Sequence, residues 1–100
     1  MNKATWTEQQ IIALLTCNNR AVERAILAIY DRQTQDEKRS DDTKHDNKIG
    51  FSAGDAKKGS YYARWVMSGR NLSRHHLNRA RRMAVKYRRQ LTEIANQGAA

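Results

Sequence analysis

Residues 73–94 read SRHHLNRARRMAVKYRRQLTEI, and this stretch decides the fold. Its apolar positions Leu77, Ala80, Ala84, Tyr87, Leu91 and Ile94 are spaced 3, 4, 3, 4 and 3 apart. Such alternation keeps one stripe on one side of a helix of about 3.6 residues per turn. The spacing predicts a continuous amphipathic helix from Ser73 to Ile94, one face buried and the remainder strongly basic. From Ala56 to Thr92 there is no acidic residue, while Lys and Arg occur eleven times.

Working outward, the charge is shared unevenly along the 100 residues. Residues 1–55 hold 8 Lys and Arg against 9 Asp and Glu; residues 56–100 hold 11 against 1, and the whole chain is at +9. An asymmetry of this kind points to a polyanionic partner for the second half, nucleic acid foremost. A solvated basic face and an anionic membrane are the competing readings. The stripe, with two alanines and neither Trp nor Phe, is poor material for membrane insertion. One small domain is expected from the length, with a modest core. Pro is absent and Gly scarce, which favours an all-α domain of about four helices joined by short polar turns.

Upstream, Thr7-Glu8-Gln9-Gln10 has the form of a capping box. It opens a first helix through Cys17 that turns Ile11, Leu14 and Leu15 inward, with Trp6 placed to staple against its first turn. Asn18-Asn19 breaks the pattern. A second helix follows from about Arg20 to Gln33, with Val22, Ala25, Ile26, Ile29 and Tyr30 on its apolar face and Glu23 free to pair outside with Arg20 or Arg24. These make residues 1–33 a helical pair. Cys17 is alone, so no disulfide forms within the chain, and it is expected as a small buried or boundary residue. No apolar run approaches 18 residues and no signal-peptide pattern opens the chain. The expected location is therefore the cytoplasm of the host cell.

Residues 34–48, TQDEKRSDDTKHDNK, offer no apolar face, and the expectation is a long mobile polar loop between the second and third helices. Its acidic residues fit no calcium-loop template, and Gly54 and Gly59 lack the lysine and preceding strand of a phosphate loop. Ile49-Gly50-Phe51 brings the chain back to the core, and Ser52-Ala53-Gly54-Asp55 is a second capping-box candidate for the third helix. Within that helix Tyr61, Trp65 and Tyr62 are expected in the core rather than as a base-stacking platform. Residues 49–96 form the basic helical half, and residues 97–100 a tail.

Helix, then Ser68-Gly69-Arg70-Asn71-Leu72-Ser73, then basic helix is the layout of a helix-turn-helix, with a connection longer than the usual three or four residues. In that arrangement Arg74, His75, Asn78, Arg79 and Arg82 face base edges; Arg and Asn are side chains able to make bidentate contacts to guanine and adenine. Lys57, Lys58, Lys86, Arg88 and Arg89 meet phosphates, and Arg64 and Arg70 extend the basic surface. The partner expected is nucleic acid, DNA ahead of RNA, bound by a monomer. The alternative is an inhibitor, of the anti-CRISPR kind, that uses the same face against a host defence or DNA-processing protein complex. No catalytic set, metal site or cofactor site emerges: adjacent His75 and His76 point about 100° apart on a helix.

GFSAGDA (50–56), SYYARWV (60–66), SGRNLS (68–73) and ARRMAVKYRRQL (80–91) resemble a pattern shared by uncharacterised proteins of phages and mobile elements. The pattern is similar to small stand-alone proteins and to tail segments of larger DNA-processing proteins such as helicases. Gln33-Thr34 with Asp36-Glu37, and the stretch from Thr43 to Asn47, extend it. What the resemblance implies is a setting, nucleic-acid processing or host–phage conflict, and no activity. Gly50, Phe51, Asp55, Ala56, Gly69 and Leu72 read within it as turns, caps and core.

Overall fold

The structure, a computed structural model, describes residues 5–40 and 50–98. Among these there are five helices and no strand: α1 (Glu8–Cys17), α2 (Asn19–Ser40), α3 (Ala56–Met67), α4 (Arg74–Lys86) and α5 (Arg88–Gly98). The domain is all-α, with one helix more than the sequence suggested. None of the helices described is long and apolar enough to cross a membrane.

α1 begins as expected. Thr7 Oγ1 accepts from the Gln10 backbone N–H at 3.2 Å, and Gln10 Oε1 accepts from the Thr7 N–H at 3.0 Å. Asn18 ends α1 and starts α2, its side-chain oxygen accepting from the Ala21 N–H at 3.0 Å. α2 is the axis of the fold: it packs against all four other helices, while α1 also meets α4 and α5, and α3 meets α4. Accordingly its Val22, Ala25, Ile26 and Ile29 are buried. Full burial of such side chains contributes about 1.5–3 kcal/mol each.

Two expected boundaries move. α2 runs on to Ser40, so the loop expected from residue 34 starts as helix, and residues 41–49 lie outside the described residues. Gln, Glu, Lys and Arg are good helix formers and no Gly or Pro interrupts 34–40, so helix propensity favours the extension. The chain's end is likewise helical through Gly98 rather than a tail from 97.

The long C-terminal helix is divided at Tyr87, which leaves the helical region with φ −99° and ψ 23°. The apolar stripe still turns inward: Ala80, Ala84, Tyr87 and Leu91 are buried, with Leu77 and Ile94 half-buried at the ends. A straight helix of that length would run about 30 Å. The bend instead returns α5 onto α1, where Asn96 brackets Trp6, accepting its N–H at 2.7 Å and donating to its carbonyl at 3.2 Å.

Behind the bend lies a compact polar bracket. Gln90 bonds both the N–H and the carbonyl of Gly50, each at 2.9 Å, and Gln33 Oε1 accepts from the Phe51 N–H at 3.2 Å. The Tyr87 hydroxyl accepts from the Ser52 N–H at 2.8 Å and donates to Asp55 Oδ2 at 2.7 Å. Asp55 therefore does not cap α3 with its side chain, and the second capping box does not form: the carboxylate is engaged by Tyr87 and by Lys86 Nζ at 2.8 Å. Ser73 stands at the N-cap of α4 but likewise makes no side-chain cap bond. Glu23 does not pair with Arg20 or Arg24; its Oε2 accepts the Leu72 N–H at 2.8 Å and ties the α3–α4 connection to α2. Cys17, expected buried or at a boundary, is exposed on the last turn of α1, beyond Leu15.

Candidate nucleic-acid interface

All twelve residues singled out from the sequence are exposed. On α4 the exposed positions are Arg74, His75, Asn78, Arg79, Arg82 and Lys86. Their spacing of one, three, one, three and four lies along a single face, opposite Ala80, Met83 and Ala84. The burial of small alanines brings α4 close to its neighbours and leaves its long cations pointing away.

Arg81 is the exception among the arginines of α4. It is half-buried, and its guanidinium donates to the Leu15 carbonyl at 2.8 Å, to Asn78 Oδ1 at 3.1 Å and to Asn19 Oδ1. It joins α4 to the α1–α2 corner, a structural task that removes it from the basic face.

The other cations fall into separate settings. Lys57, Lys58 and Arg64 lie on the exposed side of α3. Arg70, in the connection, lies over the Trp65 ring, its Cζ 4.7 Å from the centroid. Arg88 and Arg89 start α5, beyond the bend, and both face Glu8: Arg88 Nε is 3.3 Å and Arg89 Nε 4.0 Å from its carboxylate. Lys86 is paired with Asp55. Among the described residues no carboxylate stands within ion-pair distance of Lys57, Lys58, Arg64, Arg70, Arg74, Arg79 or Arg82. Of the twelve residues singled out from the sequence, these seven are the cations with no ion pair among the described residues, whereas Arg88 and Arg89 share Glu8.

The polar bracket supplies the site's fixed backing. The Lys86 ammonium, more than burial and together with Tyr87, acts on Asp55, and its carboxyl is held below the usual value of 3.8. Asp55 in turn raises Lys86 above 10.5, and burial raises Tyr87 above 10.0. A carboxyl lowered in the folded state stabilises the fold above its unfolded value, and that contribution disappears as the pH falls through the folded value. The lysine's share is present below its unfolded value and disappears as the pH rises through the folded one. Asp55→Asn should therefore melt below the wild type between about pH 5 and 9, and the two curves should converge as the pH falls through the lowered folded-state value of Asp55. Thermal unfolding followed by circular dichroism across that range checks this; a constant gap at all pH values would contradict the assignment.

The aromatic residues correct the sequence reading. Tyr62 is in the core at 2% exposure, but Tyr61 beside it is 49% exposed, and Trp65 is only half-buried. In α3 the buried positions are Gly59, Tyr62 and Ala63, which leaves Tyr61 and Trp65 one step round the helix, toward water. No period in the sequence separates two adjacent tyrosines; the signal that does is Gly59, whose bare Cα marks the face in closest contact.

The chain matches no protein-family model, no curated protein and no solved structure.

Proposed function

We propose that this chain binds nucleic acid through the basic surface of α3, its connection and α4, with α4 in the position of a recognition helix. The observation that carries this reading is the single exposed face of Arg74, His75, Asn78, Arg79 and Arg82, whose cations have no ion pair among the described residues. Among the described residues this face concentrates positive charge without carboxylate partners on one helix. Phosphates satisfy such guanidinium groups by charge-assisted, often bidentate hydrogen bonds. Lys57, Lys58 and Arg64 on α3 and Arg70 in the connection add backbone contacts. The six residues between the helices exceed the common helix-turn-helix turn, so the arrangement is helix-turn-helix-like in order and charge. The setting suggested by the resemblance, phage or mobile-element biology in a host cell, agrees with this role.

The test is a titration of labelled duplex DNA between about 50 and 200 mM salt. With about five phosphates neutralised, log K against log salt should fall with a slope of about −4 to −5. No binding of duplex or single-stranded DNA at low salt would overturn the reading. A shallow slope would point instead to the other partner considered, a protein complex held by apolar anchors.

A further inference from the structure

We infer that the surface joining α3 to the start of α4 is a stacking platform for the bases of single-stranded nucleic acid, centred on Tyr61. This deepens the proposed function and rests on it. Four rings follow one another across the two helices. Trp65 and Tyr61 have centroids 6.1 Å apart, Tyr61 and His76 6.1 Å, and His76 and His75 6.0 Å. At the middle of this run Tyr61 leaves about half of its surface in water.

The platform is braced from behind. Trp65 is fixed by its Nε1–H, which donates to the Asn71 carbonyl at 3.0 Å, and Arg70 lies against its ring. The buried Tyr62 packs edge-on against His76, with centroids 5.9 Å apart at 76°. Tyr61 thus has ordered rings on either side, while a planar group can approach its open side without displacing core residues. Among the described residues the adjoining charge is positive: Arg64 one turn along α3, Arg70 in the connection, and Arg74 and Arg79 on α4, with Arg79 close enough to Tyr62 to act on its hydroxyl.

Exposed aromatic surface among cations that have no ion pair among the described residues suits a ligand that alternates flat π surfaces with negative charge. Single-stranded nucleic acid has that composition, and every base offers a stacking face whatever the sequence. In a duplex those faces are already covered by neighbouring base pairs, so the rings would have nothing to meet. The basic face of α4 reads phosphates in either form; the rings separate the two forms.

The experiment uses the full chain with Trp6→Phe, so that Trp65 is the single tryptophan, and three probes of about 15 nucleotides: oligo-dT, an abasic strand of equal charge, and a duplex. Oligo-dT should quench Trp65 fluorescence and bind at least about tenfold more tightly than the abasic strand. Tyr61→Ala should weaken oligo-dT about tenfold, equivalent to about 1.4 kcal/mol, and leave abasic-strand and duplex affinity within about twofold. Tyr61→Phe should keep the wild-type affinity, and unchanged melting of both variants shows that the fold is intact. Equal binding of oligo-dT and the abasic strand, or equal loss on all probes in Tyr61→Ala, would overturn the platform while leaving the proposed function standing. Failure of all three probes, duplex included, would overturn both.

Discussion

Changing Arg74, Arg79 and Arg82 together to glutamate should lower affinity for duplex DNA by at least about a hundredfold at low salt. A basic side chain near an anionic surface contributes about 1 kcal/mol, and each introduced carboxylate adds repulsion of similar size. Three positions therefore remove about 3–6 kcal/mol, or two to four decades. The same variant should flatten the salt slope by nearly three, because three counter-ions are no longer released on binding. Stability should barely change: all three side chains are exposed and have no carboxylate partner among the described residues, and exposed substitutions of this kind usually stay within about 0.5 kcal/mol. The comparison is Arg88→Gln/Arg89→Gln. Those two guanidinium groups already face Glu8 and sit beyond the bend at Tyr87, so their loss should cost only a small part of the affinity. Equal loss per unit of charge removed, six in the first set and two in the second, would mean that the chain binds by overall charge and has no preferred face.

That contrast between two sets of arginines also marks how far the sequence was legible. Apolar periodicity identifies which side of α2 and of residues 77–94 goes inward, because burial of Val22, Ile26, Ile29, Ala80 and Ala84 depends on position alone. It is silent about where a helix bends. Tyr87 belongs to the stripe on either side of the break, and at the break its hydroxyl is attached to Ser52 and Asp55, more than thirty residues earlier. The same limit applies to Glu23 and Asp55. Local rules give them to a neighbouring arginine and to a helix cap, whereas tertiary partners, the Leu72 amide and the Tyr87–Lys86 pair, take both carboxylates. At the candidate site, charge density found the twelve exposed residues, but the exposure of Tyr61 goes with the packing of Gly59 and could not be read from aromatic spacing.

That packing contact yields the largest effect on stability. Phe51 is the single phenylalanine of the chain, 7% exposed, with its ring edge-on to Tyr87 at 5.6 Å and 87°. A Cβ built on Gly59 would come within 2.5–2.6 Å of three atoms of that ring, so the helix rests directly on the aromatic face. Phe51→Ala should cost about 3–5 kcal/mol. At about 4–8 °C for each kcal/mol in a domain of this size, the melting temperature should fall by roughly 12–40 °C. Gly59→Ala should also destabilise, although alanine is favoured over glycine in a helix interior by about 1 kcal/mol, because the added methyl collides with a ring held on its other side by Tyr87. The two changes should not add. With Phe51 reduced to alanine the collision is gone, helix propensity acts alone, and Gly59→Ala should become stabilising by about 1 kcal/mol. Denaturant unfolding of the two single variants and the double variant measures this reversal of sign. If Gly59→Ala stabilises equally in both backgrounds, the close approach of α3 to Phe51 is not what fixes the orientation of that helix, and the exposure of Tyr61 loses its structural cause.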